Sequence, residues 1–117
     1  MTTPSLHNTK FRCICRECGA EFGALRSHAL YCSRACNRVF NNRRASRGAE
    51  LYDFVMNMRI VSDRSGPEVK ECRAIIEALA GGYRESDKRH RDGRRSWMTL
   101  DEAKLALNRL AGCSDGR

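Results

Sequence analysis

Four cysteines in two close pairs constrain the fold of this 117-residue chain more than any other feature. Cys15 and Cys18 form the first pair, Cys32 and Cys36 form the second, and 13 residues separate the pairs. Two thiolates with two or three residues between them can bind one cation, and two such pairs complete a tetrahedral site. Soft sulfur ligands favour Zn²⁺ over Mg²⁺ or Ca²⁺. The spacing therefore predicts one zinc ion held by all four cysteines.

The residues around the first pair predict a β-hairpin. Two short strands are expected over residues 11–14 and 21–23, with the cysteine pair in the turn between them. Gly19 directly follows Cys18, and a turn that aims two sulfur atoms at one point tends to require a positive φ angle, which glycine adopts readily. Half of the metal site is therefore expected on a zinc knuckle.

The second pair is expected at the start of a helix over residues 34–47. Ser33 is a favourable N-cap residue, which would place Cys36 in the first turn. On a helical wheel Cys36 shares one side with Val39 and Phe40, so this side is expected to face inward. The opposite side carries only arginine and asparagine, namely Arg34, Asn37, Arg38, Asn41, Asn42 and Arg44.

Residues 15–19, CRECG, and residues 31–37, YCSRACN, resemble the CxxCG…(F/Y)CSxxC pattern of small treble-clef zinc fingers. This pattern is typical of the bacterial DNA gyrase-inhibitor zinc-binding family and of related FCS-type fingers. The resemblance covers about residues 13–44 and implies a zinc knuckle followed by a helix that supplies the second pair of ligands. Members of that superfamily variously bind nucleic acid, bind proteins or serve as structural units within enzymes. Residues 49–117 lie outside the resemblance, so it does not imply inhibition of gyrase.

Two other residues could replace one of the four thiolates. Cys13 lies two positions before Cys15, and C-x-C pairs also bind metals; His28 lies between the two cysteine pairs. The resemblance places the knuckle at Cys15 and Cys18. The sequence nevertheless leaves both substitutions open.

The predicted metal site is structural rather than catalytic. Four thiolates close the coordination shell, whereas a catalytic zinc keeps one position open for water. The chain has no P-loop, no HExxH motif and no suggestive serine–histidine–aspartate spacing. We therefore expect no enzyme activity.

The charge balance points to a polyanionic partner. The chain has 22 lysines and arginines against 14 acidic residues, a net charge of +8, and 18 of the 22 are arginine. The planar guanidinium suits phosphates and guanine edges better than an ammonium does. Nucleic acid, with duplex DNA first, is the predicted partner. The alternative is that these arginines only face water.

The sequence also bears on location. No apolar run approaches the roughly 20 residues that span a bilayer, and residues 1–12 lack the apolar core of a signal peptide. The odd number of cysteines fits a reducing compartment. We expect a cytoplasmic protein without a membrane segment.

Residues 49–112 predict a helical domain of about three helices. Gly48 is expected to kink or end the first helix, and the following helices are expected over 49–61, from Pro67 to Gly81 and from Leu100 to Gly112. Thr99 and Glu102 form a capping box for the last one. The apolar stripes expected to pack together into a small bundle are Leu51, Phe54, Val55, Met58 and Val61; Val69, Cys72, Ile76, Leu79 and Ala80; and Leu100, Ala103, Leu107 and Leu110, with Trp97 at the bundle's entry.

The predicted organisation is mainly α: a disordered tail at 1–10, a treble-clef-like zinc finger at 11–48, the helical domain at 49–112 and a tail at 113–117. Within it, residues 83–96 form a basic loop with six lysines and arginines against three acids. The loop is expected either to contact phosphates or to be a solvated linker. Its candidate phosphate ligands are Lys88, Arg89, Arg91, Arg94 and Arg95.

The leading hypothesis is a small DNA-binding zinc-finger protein, a transcriptional regulator of bacterial or phage type. Arginine can bridge O6 and N7 of guanine, and asparagine can bridge N6 and N7 of adenine. The helix would read DNA with Arg34, Asn37, Arg38, Asn41, Arg44 and Arg47. The alternative is a protein-interaction adaptor or inhibitor whose helices at 49–111 dock a partner. An accessory subunit of a larger nucleoprotein machine is a third hypothesis.

Overall fold

A computed structural model describes residues 11–114, with side chains described through residue 110. These described residues are mainly helical, with three helices and a two-stranded hairpin, which confirms the mainly helical prediction. The predicted tail at 1–10 lies outside the described residues, as does residue 115 onward of the second tail. The elements in order are β1 Phe11–Ile14, β2 Glu21–Ala24, α1 Arg34–Ile60, α2 Pro67–His90 and α3 Leu100–Ser114.

The hairpin forms at the predicted position. Strands β1 and β2 are antiparallel, with Cys13 opposite Phe22 and Ile14 opposite Glu21. The connecting turn is closed by hydrogen bonds from the Cys15 amide to the Ala20 carbonyl and from the Gly19 amide to the Cys15 carbonyl, both 2.9 Å. Gly19 has φ +78°, so the turn uses the left-handed conformation that glycine tolerates.

Helix α1 is longer than predicted. It begins at Arg34, where the Ser33 hydroxyl accepts from the Cys36 amide at 3.2 Å, as expected for an N-cap. It then continues through Gly48 to Ile60, so the two helices predicted on either side of Gly48 are one. A glycine inside a helix costs only about 0.5–1 kcal/mol, which is too little to end a long helix by itself.

Helix α2 packs antiparallel to α1 after the turn at 61–66. It begins at Pro67 as predicted, but it passes through Gly81 and Gly82 and ends only at His90. The Tyr83 hydroxyl donates to the Glu50 carboxylate, so this part of α2 is held against α1. The predicted basic loop at 83–96 is therefore helical up to residue 90.

The predicted three-helix bundle does not form. The Thr99 amide donates to Glu102 Oε1 at 2.9 Å and the Glu102 amide donates to Thr99 Oγ1 at 3.2 Å, so the capping box is confirmed. However, Leu100 is 73% exposed and Leu107 is 65% exposed. Helix α3 also passes Gly112 and ends at Ser114. The spacing of the leucines predicts an apolar side, but it does not determine which surface covers it.

Other residues of the expected apolar stripes also differ from the prediction. Val39 is 49% exposed and Trp97 is 46% exposed, and Val55 and Ala80 are exposed as well. The buried hydrophobic residues among those described are Cys13, Cys15, Phe40 and Val69. The buried polar residues are Asp87, Arg91 and Ser96. The core therefore lies where the cysteine turn meets α1 and the segment after α2, and a large part of it is polar. Among the described helices, none is long and apolar enough to cross a membrane.

Candidate metal centre

The four predicted cysteines lie together in the structure. Their sulfur atoms all lie within 4.8 Å of one another. The Sγ atoms of Cys18 and Cys32 are 3.7 Å apart, as are those of Cys32 and Cys36. Zn–S bonds of about 2.3 Å in a tetrahedron place neighbouring sulfurs about 3.8 Å apart. The cluster could hold a metal ion of this size at its centre.

Each cysteine is positioned by a local feature of the backbone. Cys15 follows β1 and is completely buried, whereas Cys18 is exposed in the turn. Cys32 precedes the N-cap residue of α1, and Cys36 lies in the first helical turn. A hydrogen bond from the Arg16 amide to the Leu30 carbonyl, at 2.8 Å, joins the turn to the segment that carries the second pair. The hairpin turn and the helix start each supply two sulfurs.

The electrostatics of the cluster favour a bound cation. Burial raises the pKa of the Cys15 thiol, but backbone amides of Cys18, Cys32 and Glu17 donate to its thiolate and bring the pKa down to about 6. Burial and hydrogen bonds with the neighbouring thiols raise the pKa of Cys32 to about 12. Without a cation, the thiolate of Cys15 is therefore favoured and that of Cys32 is opposed. A divalent cation among the sulfurs would reverse this penalty.

Cys13 and His28, the two alternative ligands that the sequence leaves open, lie outside this cluster. Cys13 is buried on β1, and its Sγ lies 3.7 Å from the carbonyl oxygen of Arg26. His28 is exposed and does not belong to the group of close ligand atoms. The structure therefore brings together Cys15, Cys18, Cys32 and Cys36 rather than a set with either alternative.

A partly buried ionic cluster ties the cysteine turn to the helices. Glu17 lies between Cys15 and Cys18; its Oε2 is 2.7 Å from Arg43 Nη2 and its Oε1 is 2.6 Å from Arg91 Nη1. Burial raises the pKa of Glu17, but these two guanidinium groups hold it below its usual value. The carboxylate thus links α1 and the segment after α2 to the candidate metal site.

Asp87 on α2 is the second carboxylate of this cluster. Its Oδ1 is 3.0 Å from Arg47 Nη2 and 3.7 Å from Arg91 Nε. The Ser96 amide and hydroxyl both donate to it, each at 3.2 Å. Burial raises the pKa of Asp87, but hydrogen bonds and charge from Arg47, together with Ser96 and Arg91, keep it lowered.

Arg91 connects the two carboxylates and is only 5% exposed. It also donates to the backbone carbonyls of Arg16 at 2.8 Å and Arg94 at 3.0 Å, and its guanidinium lies 5.6 Å from the centre of the Phe40 ring. Arg94 Nη2 donates to the Glu17 carbonyl at 3.0 Å. The segment after α2 therefore covers the cysteine turn.

Sequence reasoning missed Glu17, Arg43 and Asp87. The sequence shows only that Glu17 lies between Cys15 and Cys18 and that Asp87 lies within the basic segment 83–96. Neither pattern specifies a partner, because Arg91 and Glu17 are 74 positions apart. Their pairing depends on the packing of α2 against α1.

The arginines predicted to contact DNA separate into three groups: exposed and unpaired, paired in the interior, and paired or hydrogen-bonded nearer the surface. Arg34, Arg38 and Arg89 are exposed, and they have no ion pair or side-chain hydrogen bond within residues 11–110. Arg47 and Arg91 instead face the interior of the fold, where they pair with Asp87. They stabilise the fold, and their charges are neutralised by its carboxylates.

The remaining residues predicted to contact DNA form hydrogen bonds or ion pairs within the protein. Asn37 and Asn41 are exposed and hydrogen-bonded to each other. Arg44 is half-buried, donates to Asn41 Oδ1 at 3.4 Å and lies 6.0 Å from the centre of the Phe40 ring. Three others have carboxylate neighbours at the surface: Lys88 with Glu85 at 3.6 Å, Arg95 with Glu102 at 3.6 Å and Arg94 with Asp92 at 3.8 Å.

The centre therefore combines a four-sulfur cluster that could hold a metal ion with an ionic cluster that fixes its orientation on the helical hairpin. Arg34 and Arg38 lie beside it on the outside of α1 and remain accessible. Comparisons with models of known protein families, with curated proteins and with solved structures found no match to this chain.

Proposed function

We propose that this protein is a small DNA-binding zinc protein whose first helix docks on duplex DNA. The observation that carries the proposal is the placement of Arg34 and Arg38. Both are exposed, they lie one helical turn apart, and they belong to the same first turns of α1 as Cys36. No carboxylate pairs with either of them in the part of the chain that the structure describes.

The proposed zinc ion orients this helix. Two ligands would come from the hairpin turn and two from the start of α1, an arrangement that supports a treble-clef-like module. The Ser33 cap and Cys36 fix the direction of the helix axis relative to the metal. Rigid placement matters because base readout by a helix requires its side chains to arrive at defined positions in the major groove.

The chemistry of the exposed side fits base and phosphate contacts. Arginine can bind guanine edges or phosphates, and Asn37 and Asn41 are exposed beside Arg38. Arg89 on α2 adds a further exposed cation. Arg47 and Arg91 are not included in the proposed interface, because their charges are already neutralised inside the fold.

Fluorescence anisotropy with a labelled duplex at two salt concentrations tests this proposal. Each neutralised phosphate contributes about 0.9 to the slope of log affinity against log salt. Combined replacement of Arg34 and Arg38 by alanine is expected to weaken binding and reduce that slope by roughly 2. Arg59→Ala, an exposed arginine at the far end of α1, is the matched control. Absence of duplex binding at low salt, or an equal loss in the control, would contradict the proposal.

The second candidate function is a protein-interaction adaptor or inhibitor. One observation favours it: α1 exposes Tyr52, Met56 and Ile60, at 62%, 40% and 70%, and a spacing of four places them on one side of the helix. Helix α3 exposes Leu100, Leu105 and Leu107 as well. Apolar side chains grouped in this way are typical of surfaces that bind another protein.

A further inference from the structure

A groove between α1, α2 and the segment before α3 contains the chain's single tryptophan. It has a volume of about 360 Å³, and its apolar lining includes Gly48, Leu51, Ala80, Tyr83 and Trp97. This volume is within the range of small-molecule sites. Trp97 is 46% exposed, so its ring is accessible to a ligand.

The walls of the groove are held in place by interactions of Tyr83 on α2 with residues of α1. The Tyr83 hydroxyl donates to Glu50 and to the Arg47 carbonyl, and the Arg47 guanidinium lies 4.9 Å from the centre of the Tyr83 ring. At Gly48 no atom lies within 4 Å of the position that a Cβ would occupy. The absence of a side chain there leaves one wall open.

Cations flank the groove on both sides. Arg44 on α1 and Arg84 on α2 both line it, and neither has a carboxylate partner within the described part of the chain. A second groove shares Arg84 and Trp97 with the first and adds Lys88, Arg94 and Arg95. The carboxylate neighbours of Lys88 and Arg95 are 3.6 Å away at the surface, and such pairs contribute little. Asp87 also borders the second groove, but Arg47 and Arg91 neutralise it.

We propose that this groove, hereafter the Trp97 groove, binds an unpaired base of a single-stranded nucleic acid. The base would stack on the ring of Trp97, and phosphates on either side of it would contact Arg44 and Arg84. The inference rests on the proposed function, which gives nucleic acid as the class of ligand. It adds the binding of unpaired bases to the proposed binding of duplex DNA. Single-strand-binding proteins combine the same two features, a cationic groove and an aromatic stacking platform.

The order of charges around Trp97 favours a polynucleotide over an acidic peptide. Cations line two adjoining grooves that meet at the exposed ring of Trp97. A matching ligand is therefore expected to carry a flat group that stacks on this ring and a negative charge on each side of that group. A nucleic acid backbone has this arrangement, with one phosphate on each side of every base. A peptide with one aromatic and scattered acidic side chains matches it less closely.

Titration of the full-length, metal-loaded protein with a single-stranded 12-mer of thymidine tests the inference, because the emission of Trp97 is the only tryptophan signal. Stacking of a base on the ring should quench it. A 12-mer of abasic sites has the same charge without bases, and it is expected to bind roughly 10-fold more weakly without quenching.

Variants are compared by anisotropy of the labelled thymidine strand. Trp97→Leu is expected to weaken binding roughly 10-fold, and Trp97→Phe, which keeps a stacking ring, to remain within about 3-fold of the original. Arg84→Ala should weaken it as well, whereas Arg73→Ala, another exposed arginine of α2, should not. Melting curves followed by circular dichroism check that the variants fold. If Trp97→Leu does not fold, the comparison of Arg84→Ala with Arg73→Ala still tests the inference.

The outcomes separate this inference from the proposed function. Duplex binding that depends on Arg34 and Arg38, with no quenching by the single strand and no effect of Trp97→Leu, would overturn the inference alone. Quenching by the single strand without any duplex affinity would uphold the Trp97 groove and overturn duplex binding. Quenching by an aromatic, glutamate-rich peptide but not by the oligonucleotide would overturn the inference in favour of a protein partner.

Discussion

Arginine has two opposite roles in this protein at the scale of single residues. Arg43, Arg47 and Arg91 pair with the partly buried Glu17 or the buried Asp87 and hold the cysteine turn on the helices. Arg34 and Arg38 remain exposed on α1. The positive net charge therefore overstates the surface that is open to a polyanion, because part of it is neutralised within the fold.

Replacement of Arg91 by alanine is expected to lower the free energy of unfolding by about 3–5 kcal/mol, because it leaves Glu17 and Asp87 short of a buried partner. Its neighbour Arg89 is exposed, so Arg89→Ala is expected to change stability by no more than about 0.5 kcal/mol. Urea denaturation of the metal-loaded variants measures both values. Equal effects of the two substitutions would show that the ionic cluster does not stabilise the fold.

Glu102 at the start of α3 should titrate at unusually low pH. A hydrogen bond from Arg16, supported by the Thr99 amide, lowers the pKa of Glu102 from 4.5 to about 2. Because the folded state binds this proton less readily than the unfolded state, the contact stabilises the protein above pH 4.5 and is lost as the pH falls towards 2. The carboxyl ¹³C shift of Glu102, followed by NMR, measures this pKa. In Arg16→Ala it should move back towards 4.5.

At the scale of elements, local signals locate where helices start better than where they end. The Ser33 cap, Pro67 and the Thr99 capping box can all be recognised in the sequence, because each acts on amides within the same turn. Gly48 and the pair Gly81–Gly82 do not end their helices. A glycine ends a helix only where the chain adopts a positive φ angle, and tertiary contacts decide whether it does.

Gly82→Ala is expected to stabilise the protein by about 0.5–1 kcal/mol, because a helical glycine is entropically unfavourable and no atom lies within 4 Å of the added Cβ. Gly19→Ala is expected to destabilise it, since φ is +78° and the Cβ would lie 2.8 Å from Arg94 Nη1. Thermal melts of both variants test the pair. Destabilisation by Gly82→Ala would instead indicate that α2 ends at that position, as the glycine pair in the sequence predicts.

At the scale of the whole molecule, the hydrophobic core is small and a metal would contribute much of the stability of the N-terminal half. Phe40 and Val69 are the large buried apolar residues described, beside two cysteines. Small domains of this kind commonly depend on a bound metal. We therefore expect a metal bound at the cysteine cluster to stabilise the fold.

Purified protein is expected to contain about one zinc ion per chain, and its removal should unfold the hairpin and the first turns of α1. Hydrogen exchange followed by mass spectrometry should show lost protection over residues 11–40 and retained protection in the ends of α1 and α2 that adjoin the turn at 61–66. Cys32→Ser should abolish zinc binding, whereas Cys72→Ser, outside the cluster, should not. Normal protection after complete chelation would contradict a structural metal.

The exposed apolar side of α1 predicts association with a protein, and a second copy of the chain is the simplest partner to test. Sedimentation velocity over a range of concentrations should show dimers that Met56→Glu and Ile60→Glu disrupt. Leu25→Glu, at a residue that is 70% exposed outside the helices, is the control. A monomer at all concentrations, unchanged by these variants, would exclude self-association as the role of this surface.

The sequence by itself determined the features that depend on neighbouring residues. The cysteine spacing, the glycine of the turn and the two N-terminal caps act within a few positions, so the sequence pairs Cys15 with Cys18 and Cys32 with Cys36. The structure brings the two pairs together and leaves Cys13 and His28 outside the cluster. Only the tertiary structure decided which arginines are exposed, how far α1 and α2 extend and that α3 leaves its leucines uncovered. These outcomes depend on pairs such as Glu17 with Arg91, which are distant in sequence and meet only when the helices pack.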